Sequence, residues 1–383
     1  MRTLISALII LSVSCWLSSC REEYTPPAIT TDYNYLIVEG SIIIGRDSSF
    51  FKLSRTQPPS SNTANDVERN ATIQVLGSNG NVLTQSVEKG NGQYAVFNGP
   101  LSGDQPYQVK IRTASGHEYL SDQIVAKFTQ PIDSVSWERV DEGKAIQFSV
   151  STHDPSGKSR YYRWEYEETW EYHAFYESFL MFEPPASLVT RPEAFQINKC
   201  WKTRKGTEIN IATSAAYTED FIIKSPVYYV AKGTDKLNWR HSLLVTQHAI
   251  SPEAFEYWQN LKKMTEQGGT IFDVQPSELI GNIHCITNPA EPTIGFISAN
   301  TVTEKRIFVD RLEVTDFVVG NQLPCDLQSV QGTPLSIVTA FESGNLIPIA
   351  FGVGSAPPPV DAATRECADC RYFGGTTVKP TFW

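Results

Sequence analysis

The densest group of side chains capable of chemistry lies between Arg160 and Phe179, where the sequence reads RYYRWEYEETWEYHAFYESF. Four glutamates stand in this run: Glu165, Glu167, Glu168 and Glu171. Alternate residues of a strand lie about 6.5–7 Å apart on one face, a spacing compatible with a glycosidase carboxylate pair. Arginines accompany these glutamates, and a solvated, partly ion-paired face is the commoner arrangement. We therefore assign no catalytic residue to this run, and a surface hydrolase of glycans or peptides stays the alternative.

Aromatic side chains alternate with charged ones along the same run. One parity holds Tyr162, Trp164, Tyr166, Trp170 and Tyr172, and the other holds Arg163, Glu165, Glu167, Thr169 and Glu171. Successive side chains of a strand point to opposite faces, so this pattern predicts a strand with an aromatic face and a charged face. Aromatic residues at strand period usually belong to a core, although such a face can also stack on sugar rings.

Histidines and glycine-rich loops give little support for a metal or a cofactor. A zinc site needs three or four converging ligands, whereas the six histidines are scattered: His117, His153, His173, His241, His248 and His284. His117-Glu118 lacks the second histidine of a helical zinc motif, and no phosphate-binding or serine-nucleophile motif occurs. The formal net charge of −10 disfavours nucleic acid as a partner. We expect no catalytic residue, no metal and no cofactor.

The first residues indicate export. Met1-Arg2 precedes an apolar run, Leu4 to Leu17, that is too short to span a bilayer and has the form of a secretory signal. Leu17-Ser18-Ser19-Cys20 resembles a bacterial lipobox, so residues 1–19 are a predicted signal peptide and Cys20 is the predicted lipidation site. Glu22 and Glu23 resemble a surface-export signal, with a periplasmic location as the alternative. Residues 20–33 are the predicted lipidated tether.

Five cysteines follow the lipobox: Cys200, Cys285, Cys325, Cys367 and Cys370. An exported compartment permits disulfides, and an odd number leaves one thiol over. Cys200 and Cys285 stand in similar strand contexts and are the first predicted pair. Cys325 then pairs with Cys367 or Cys370, or those last two bridge each other. Cys-Ala-Asp-Cys follows no βαβ pattern, which favours a structural bridge over a redox motif.

The sequence predicts a mainly β chain, and its strands set the positions of these residues. Short alternating strands separated by turns predict a prealbumin-like or immunoglobulin-like β-sandwich over residues 34–131. Gln130-Pro131 marks a boundary, and residues 132–383 form a second predicted β-rich, sandwich-like domain with a cysteine-containing C-terminal segment. Ser251 and Pro252 predict the start of a helix near 252–267, which Gly268-Gly269 would end.

Several dispersed segments together are similar to one family: LIVEG, STHDPSGKSRYYRWEYEETWEY, SPEAFEYWQNLKK, IFDVQPSELIGNIHC and CADCRYFGGTTVKPTFW. This pattern resembles the Bacteroidota lipoprotein family catalogued as domain of unknown function 4249. The resemblance implies an outer-membrane lipoprotein, often encoded near TonB-dependent transporters, with no established catalytic residues. We therefore expect a lipid-anchored protein at the cell surface that is a non-enzymatic accessory partner of an outer-membrane protein such as a TonB-dependent transporter.

Overall fold

A computed structural model describes residues 34–383 except 58–65, 100, 104, 267–278, 280, 321–322 and 355. The predicted signal peptide (1–19) and tether (20–33), with Cys20, Glu22 and Glu23, lie outside these residues. The described chain is mainly β with three short or medium helices, which confirms the predicted fold class. None of the helices in the described ranges combines the length and the apolar run needed to cross a bilayer.

The N-terminal region forms one large sheet, with the short strand Ile42–Ile43 outside it, around a single apolar core. Alternation predicted several of these strands, and it places Tyr107, Val109 and Ile111 inside while their neighbours are partly or fully exposed. The strands are β1 (Leu36–Gly40), β2 (Ile42–Ile43), β3 (Ser48–Arg55), β4 (Asp66–Val67), β5 (Thr72–Leu76), β6 (Val82–Gly90), β7 (Gln93–Phe97), β8 (Pro106–Arg112), β9 (Glu118–Ser121) and β10 (Ile124–Val125).

The second region begins with longer strands and contains the predicted helix. Its elements are β11 (Ile132–Val140), β12 (Ala145–His153), β13 (Tyr161–His173), β14 (Leu180–Glu183), β15 (Ser187–Thr190), β16 (Lys199–Lys205), β17 (Asn210–Thr213), β18 (Phe221–Ala231), β19 (Arg240–Ala249) and α1 (Pro252–Glu266). The Ser251 hydroxyl accepts a hydrogen bond from the Ala254 amide at 3.2 Å, which confirms the predicted N-terminal cap of α1.

Three later strands pair with strands of the N-terminal region: β20 (Ile283–Cys285) and β21 (Thr293–Ile294) join its large sheet, and β22 (Ala299–Asn300) forms a separate two-stranded sheet. β20 pairs with β9, β21 with β1, and β22 with β2. The domain prediction placed this segment within residues 132–383, and the pairing joins it instead to the strands of residues 34–131. Apolar side chains such as Ile283 and Ile297 complete the N-terminal core, which local sequence patterns do not reveal.

β23 (Val302–Asp310) completes the second region as a two-sheet sandwich. One sheet has the order β11-β12-β18, and the other has the order β16-β13-β19-β23 with β17 beside β13. Their inner faces share one apolar core, which includes Phe148, Tyr162 and Trp164. This core confirms the predicted role of the aromatic face of β13, on which Tyr162, Trp164, Tyr166 and Trp170 are buried and Tyr172 is half-buried.

The C-terminal segment adds a small sheet. Cys367 and Cys370, each of which forms a disulfide with an earlier cysteine, follow the last strand of this sheet. Its elements are β24 (Gln328–Val330), α2 (Pro334–Phe341), β25 (Leu346–Phe351), β26 (Val360–Thr364) and α3 (Arg365–Ala368), and its strand order is β24-β26-β25. The α3 turn packs Cys367 beside Ile349 and Ala363, whereas Cys370 packs beside Ala174. The two cysteines of the Cys-Ala-Asp-Cys motif therefore meet different parts of the chain.

The disulfides are Cys200–Cys370 and Cys325–Cys367, and Cys285 is a buried free thiol. The predicted Cys200–Cys285 pair is wrong, because β20 carries Cys285 into the core of the N-terminal sheet. A Cys367–Cys370 bridge is also wrong, since each sulfur has another partner. Cys325–Cys367 is one of the three pairings that the sequence left open.

Candidate functional site

A cleft lies where helix α1 and strands β13 and β19 face the edge of the N-terminal sheet. It has a larger compartment of about 780 Å³ and a smaller one of about 450 Å³. Tyr257 and Phe296 line both compartments, and their ring centroids are 5.5 Å apart. The smaller compartment is lined by two buried side chains that each have an unmet hydrogen bond, and we call it the polar compartment.

Strand pairing brings the polar side chains of this compartment together. Arg163 of β13 lies opposite His248 of β19 in the antiparallel register, so their side chains share one face of the sheet. Glu165 follows two residues later on that face, and Asn300 enters from the end of β22. Residues far apart in sequence therefore form one polar wall of the compartment.

His248 and Asn300 are buried, with 4% and 1% of their surfaces exposed. The Asn300 side-chain amide lies 3.0 Å from Nδ1 of His248 and also donates to the Thr301 carbonyl at 2.8 Å. Nδ1 accepts in this arrangement, so a neutral His248 ring carries its hydrogen on Nε2. Within the described part of the chain, His248 Nε2 and Asn300 Oδ1 have no hydrogen-bond partner. One buried donor and one buried acceptor are thus left for a ligand.

Glu165 is held as a carboxylate at the rim of the polar compartment. Its Oε2 lies 3.8 Å from His248 Nε2, and its Oε1 lies 2.6 Å from the Arg163 guanidinium. The His248 ring and the Arg163 charge hold the pKa of Glu165 well below its ordinary value. The Arg163 guanidinium in turn stacks 4.1 Å from the ring centroid of Trp258 on α1. These contacts make Glu165 a fixed negative charge and not a proton donor.

Comparison with known proteins places the chain in a family. The family model described as "Domain of unknown function (DUF4249)" matches residues 21–306. The chain belongs to this family. The DUF4249 match includes Arg163, Glu165, His248 and Asn300, and therefore every polar residue of the compartment. It ends before β24, so the C-terminal sheet and the Cys325–Cys367 disulfide lie beyond it.

Two further comparisons add nothing about function. No curated protein matches this DUF4249 chain. Among solved structures, the chain is similar to "Biofilm associated protein - BSP domain" at 7% identity, over 76% of this chain and 63% of that chain, with a TM-score of 0.16. The chain thus spans less than two thirds of that structure's length, and a TM-score this low supports no argument about the fold.

The four glutamates of β13 have separate surroundings in this DUF4249 protein. Glu165 lines the polar compartment, and Glu167 lies on the same strand face but lines neither compartment. Glu171 is paired with His173 and Lys199 at 2.7 and 2.8 Å. Glu168 points to the aromatic side and is almost fully buried. The charged face is therefore ion-paired at Glu165 and Glu171. An accompanying arginine, Arg163, supplies the first pair, whereas His173 and Lys199 supply the second.

A closed cluster surrounds Glu168 inside the sandwich. Lys236 Nζ lies 2.7 Å from its Oε1, and the Tyr228 hydroxyl donates to its Oε2 at 2.5 Å. His241 Nε2 lies 3.3 Å from the same Oε2. Burial lowers the pKa of His241, so this ring is neutral at pH 7. The cluster lines neither compartment of the cleft.

Sequence reasoning missed His248, Asn300 and Trp258 as site residues. A usable signal existed for the first, because His241 and His248 are seven residues apart and so take opposite faces of one strand, β19. No comparable signal marked Asn300, which reaches the site only through the pairing of β22 with β2.

Proposed function

We propose that this protein is a lipid-anchored outer-membrane protein, exposed at the cell surface, that acts by binding. Its partner is an integral outer-membrane protein such as a TonB-dependent transporter, and the cleft holds a small ligand. The lipobox ending at Cys20, the acidic pair Glu22-Glu23 and the family membership support the location and the partner. A lipid anchor also raises the local concentration of the protein beside integral partners, so a modest interface suffices.

The polar compartment is the observation that carries the binding role. Buried polar atoms almost always have hydrogen-bond partners, yet His248 Nε2 and Asn300 Oδ1 have none among the described residues. A ligand hydroxyl can accept from the first atom and donate to the second. A volume of about 450 Å³ lies within the range of small-molecule sites. We therefore infer a small, hydroxyl-bearing ligand.

The hydrolase alternative receives less support from this site. A glycosidase needs one carboxylic acid that stays protonated near neutral pH, which requires a raised pKa. The pKa of Glu165 is lowered instead, by His248 and then by Arg163. Glu165 is therefore suited to bind or orient a ligand, and its lowered pKa argues against a role as the proton donor.

Purification from native outer membranes in mild detergent tests the partner. We expect a stoichiometric integral membrane protein to co-purify with the wild type. Cys20→Ala should abolish lipidation and remove the protein from the outer-membrane fraction. Recovery of the lipoprotein alone, together with turnover of glycans or peptides that Glu165→Gln abolishes, would support the hydrolase.

External protease added to intact cells tests surface exposure. The wild type should be digested, and the double variant Glu22→Ala, Glu23→Ala should be protected because the predicted export signal is gone. A wild type that is already protected in intact cells and digested only after lysis would place the protein on the periplasmic side.

A further inference from the structure

A second convergence of reactive side chains lies at the β9–β20 edge of the N-terminal sheet, outside both compartments of the cleft. His117, Cys285 and Glu291 each direct one ligand-type atom to a common point, and these three atoms all lie within 4.8 Å of one another. Glu291 Oε2 lies 2.9 Å from His117 Nδ1 and 3.7 Å from Cys285 Sγ. A nitrogen, a sulfur and an oxygen ligand therefore face one another.

These separations are close to those of a tetrahedral zinc site. Typical Zn²⁺ bond lengths to sulfur, nitrogen and oxygen place neighbouring ligand atoms about 3.3–3.6 Å apart. The two observed distances, 2.9 and 3.7 Å, lie on either side of that range, and no separation among the three ligand atoms exceeds 4.8 Å. Thiolate, imidazole and carboxylate together suit zinc better than the hard cations Mg²⁺ and Ca²⁺, which prefer oxygen ligands.

The surroundings of Glu291 orient it as metal ligands are oriented. Its Oε1 accepts from the Tyr119 hydroxyl and lies 3.4 Å from the Arg55 guanidinium, which leaves Oε2 to face His117 and Cys285. Arg55 is paired at 2.6 Å with Glu68, so its charge is already compensated. Outer partners of this kind fix the direction of a ligating carboxylate.

Strand pairing fixes the cysteine, which is the one thiol that the two disulfides leave free among the described residues. Cys285 lies opposite Tyr119 in the β20–β9 register. The Ile286 amide donates to the Glu118 carbonyl at 2.8 Å, and the Glu118 amide donates to the Thr287 hydroxyl at 3.1 Å. The thiol is therefore held on a rigid element next to its neighbours.

We propose that His117, Cys285 and Glu291 bind one Zn²⁺ ion, with water in the fourth position. Cys285 coordinates as the thiolate, and its proton passes to solvent. The ion enters past His117, because His117 is half-exposed whereas Cys285 and Glu291 are buried or nearly so. The site is separate from the cleft, so it stands whether or not the proposed ligand or transporter partner is correct.

Titration of the full chain, purified in detergent and treated with chelator, tests the site with Zn²⁺ alone as the probe. We expect one equivalent to bind, and Cys285→Ser and His117→Gln to weaken binding at least 100-fold. Tyr119→Phe removes only an outer partner and should weaken it about 10- to 100-fold. Cobalt should give a thiolate-to-metal charge-transfer band that Cys285→Ser abolishes.

His284→Gln is the matched control, because His284 neighbours Cys285 in sequence but faces Asp122, 3.1 Å away. This variant should bind Zn²⁺ as the wild type does. Circular dichroism of the metal-free variants shows whether each is folded. His117→Gln should disturb the core less than Cys285→Ser, because His117 is half-exposed and Cys285 is buried. Absence of stoichiometric binding by the wild type, wild-type affinity in folded His117→Gln, or an equal loss in His284→Gln would overturn the proposal.

Discussion

Two glutamate–histidine pairs on the same two strands have opposite surroundings. Glu165 and His248 lie 3.8 Å apart and face the cleft, whereas Glu168 and His241 lie 3.3 Å apart inside the sandwich. The glutamates are three residues apart on β13, and the histidines are seven apart on β19. Odd separations place the pairs on opposite faces of one sheet.

The two pairs differ in whether a ligand could reach them more than in their residue types. Lys236 forms an ion pair with Glu168, and the Tyr228 hydroxyl donates a hydrogen bond to it. Aromatic rings such as Phe148 pack against His241. His241 Nδ1 lacks a partner among the described residues, as His248 Nε2 does, but His241 lines neither compartment of the cleft. An unmet hydrogen bond therefore suggests a ligand only where space for the ligand adjoins it.

The largest expected effect comes from breaking the disulfide of Cys200, which lies opposite Tyr172 near the C-terminal end of β13. Cys200→Ala with Cys370→Ala should lower the free energy of unfolding by about 5 kcal/mol, because the bridge spans 170 residues. Urea denaturation without reductant measures the loss. Cys325→Ala with Cys367→Ala, which opens a 42-residue separation, should lower it by about 4 kcal/mol. A negligible effect of the first double variant would contradict the assigned bridge.

Removing the buried carboxylate should have the next largest effect. Glu168→Ala leaves Lys236 and His241 without their anion and should reduce the free energy of unfolding by about 3 kcal/mol in urea. Glu177→Ala, at an exposed position, is the control and should change it by less than about 0.5 kcal/mol. Equal losses in the two variants would show that the closed cluster gives no special stabilisation.

The sequence predicted much of the region that contains both pairs. Alternation in β13 predicted its aromatic core face and its charged face, and Ser251-Pro252 predicted the start of α1. These features depend on neighbours within a few residues, where side-chain period and helix capping act.

Long-range pairing accounts for what the sequence could not predict. The return of residues 283–300 to the N-terminal region moves Cys285 away from Cys200 and brings Asn300 to His248. The same return brings Glu291 to His117. These contacts join residues up to 174 positions apart, and no local pattern encodes which strand edge a short segment will join.

The pH dependence of stability should distinguish His241, which is enclosed beside Glu168, from the other histidines. Burial lowers the pKa of His241, so the unfolded chain binds its proton first as pH falls. Stability should therefore decrease below about pH 6.5, by at most about 1.4 kcal/mol per pH unit. Urea midpoints between pH 5 and 7.5 measure this slope, which His241→Gln should flatten.

His153 provides a control of opposite sign for that slope. Its hydrogen bond to Asp133, at 2.8 Å, raises its pKa, so its contribution is present below about pH 6.5 and is lost as pH rises through the raised value. His153→Gln should therefore make the decrease toward low pH slightly steeper. A flatter profile in both variants would mean that the slope does not arise from the buried His241.

The smallest expected effect comes from Glu165→Gln. The Glu165 side chain is 53% exposed, and solvent screens its attraction to Arg163 and His248. Arg163 also keeps its stacking contact with Trp258 when the carboxylate is gone. The free energy of unfolding in urea should therefore change by less than about 1 kcal/mol. A loss as large as that of Glu168→Ala would make the cleft pair structural too, and the polar compartment would then no longer support a binding role.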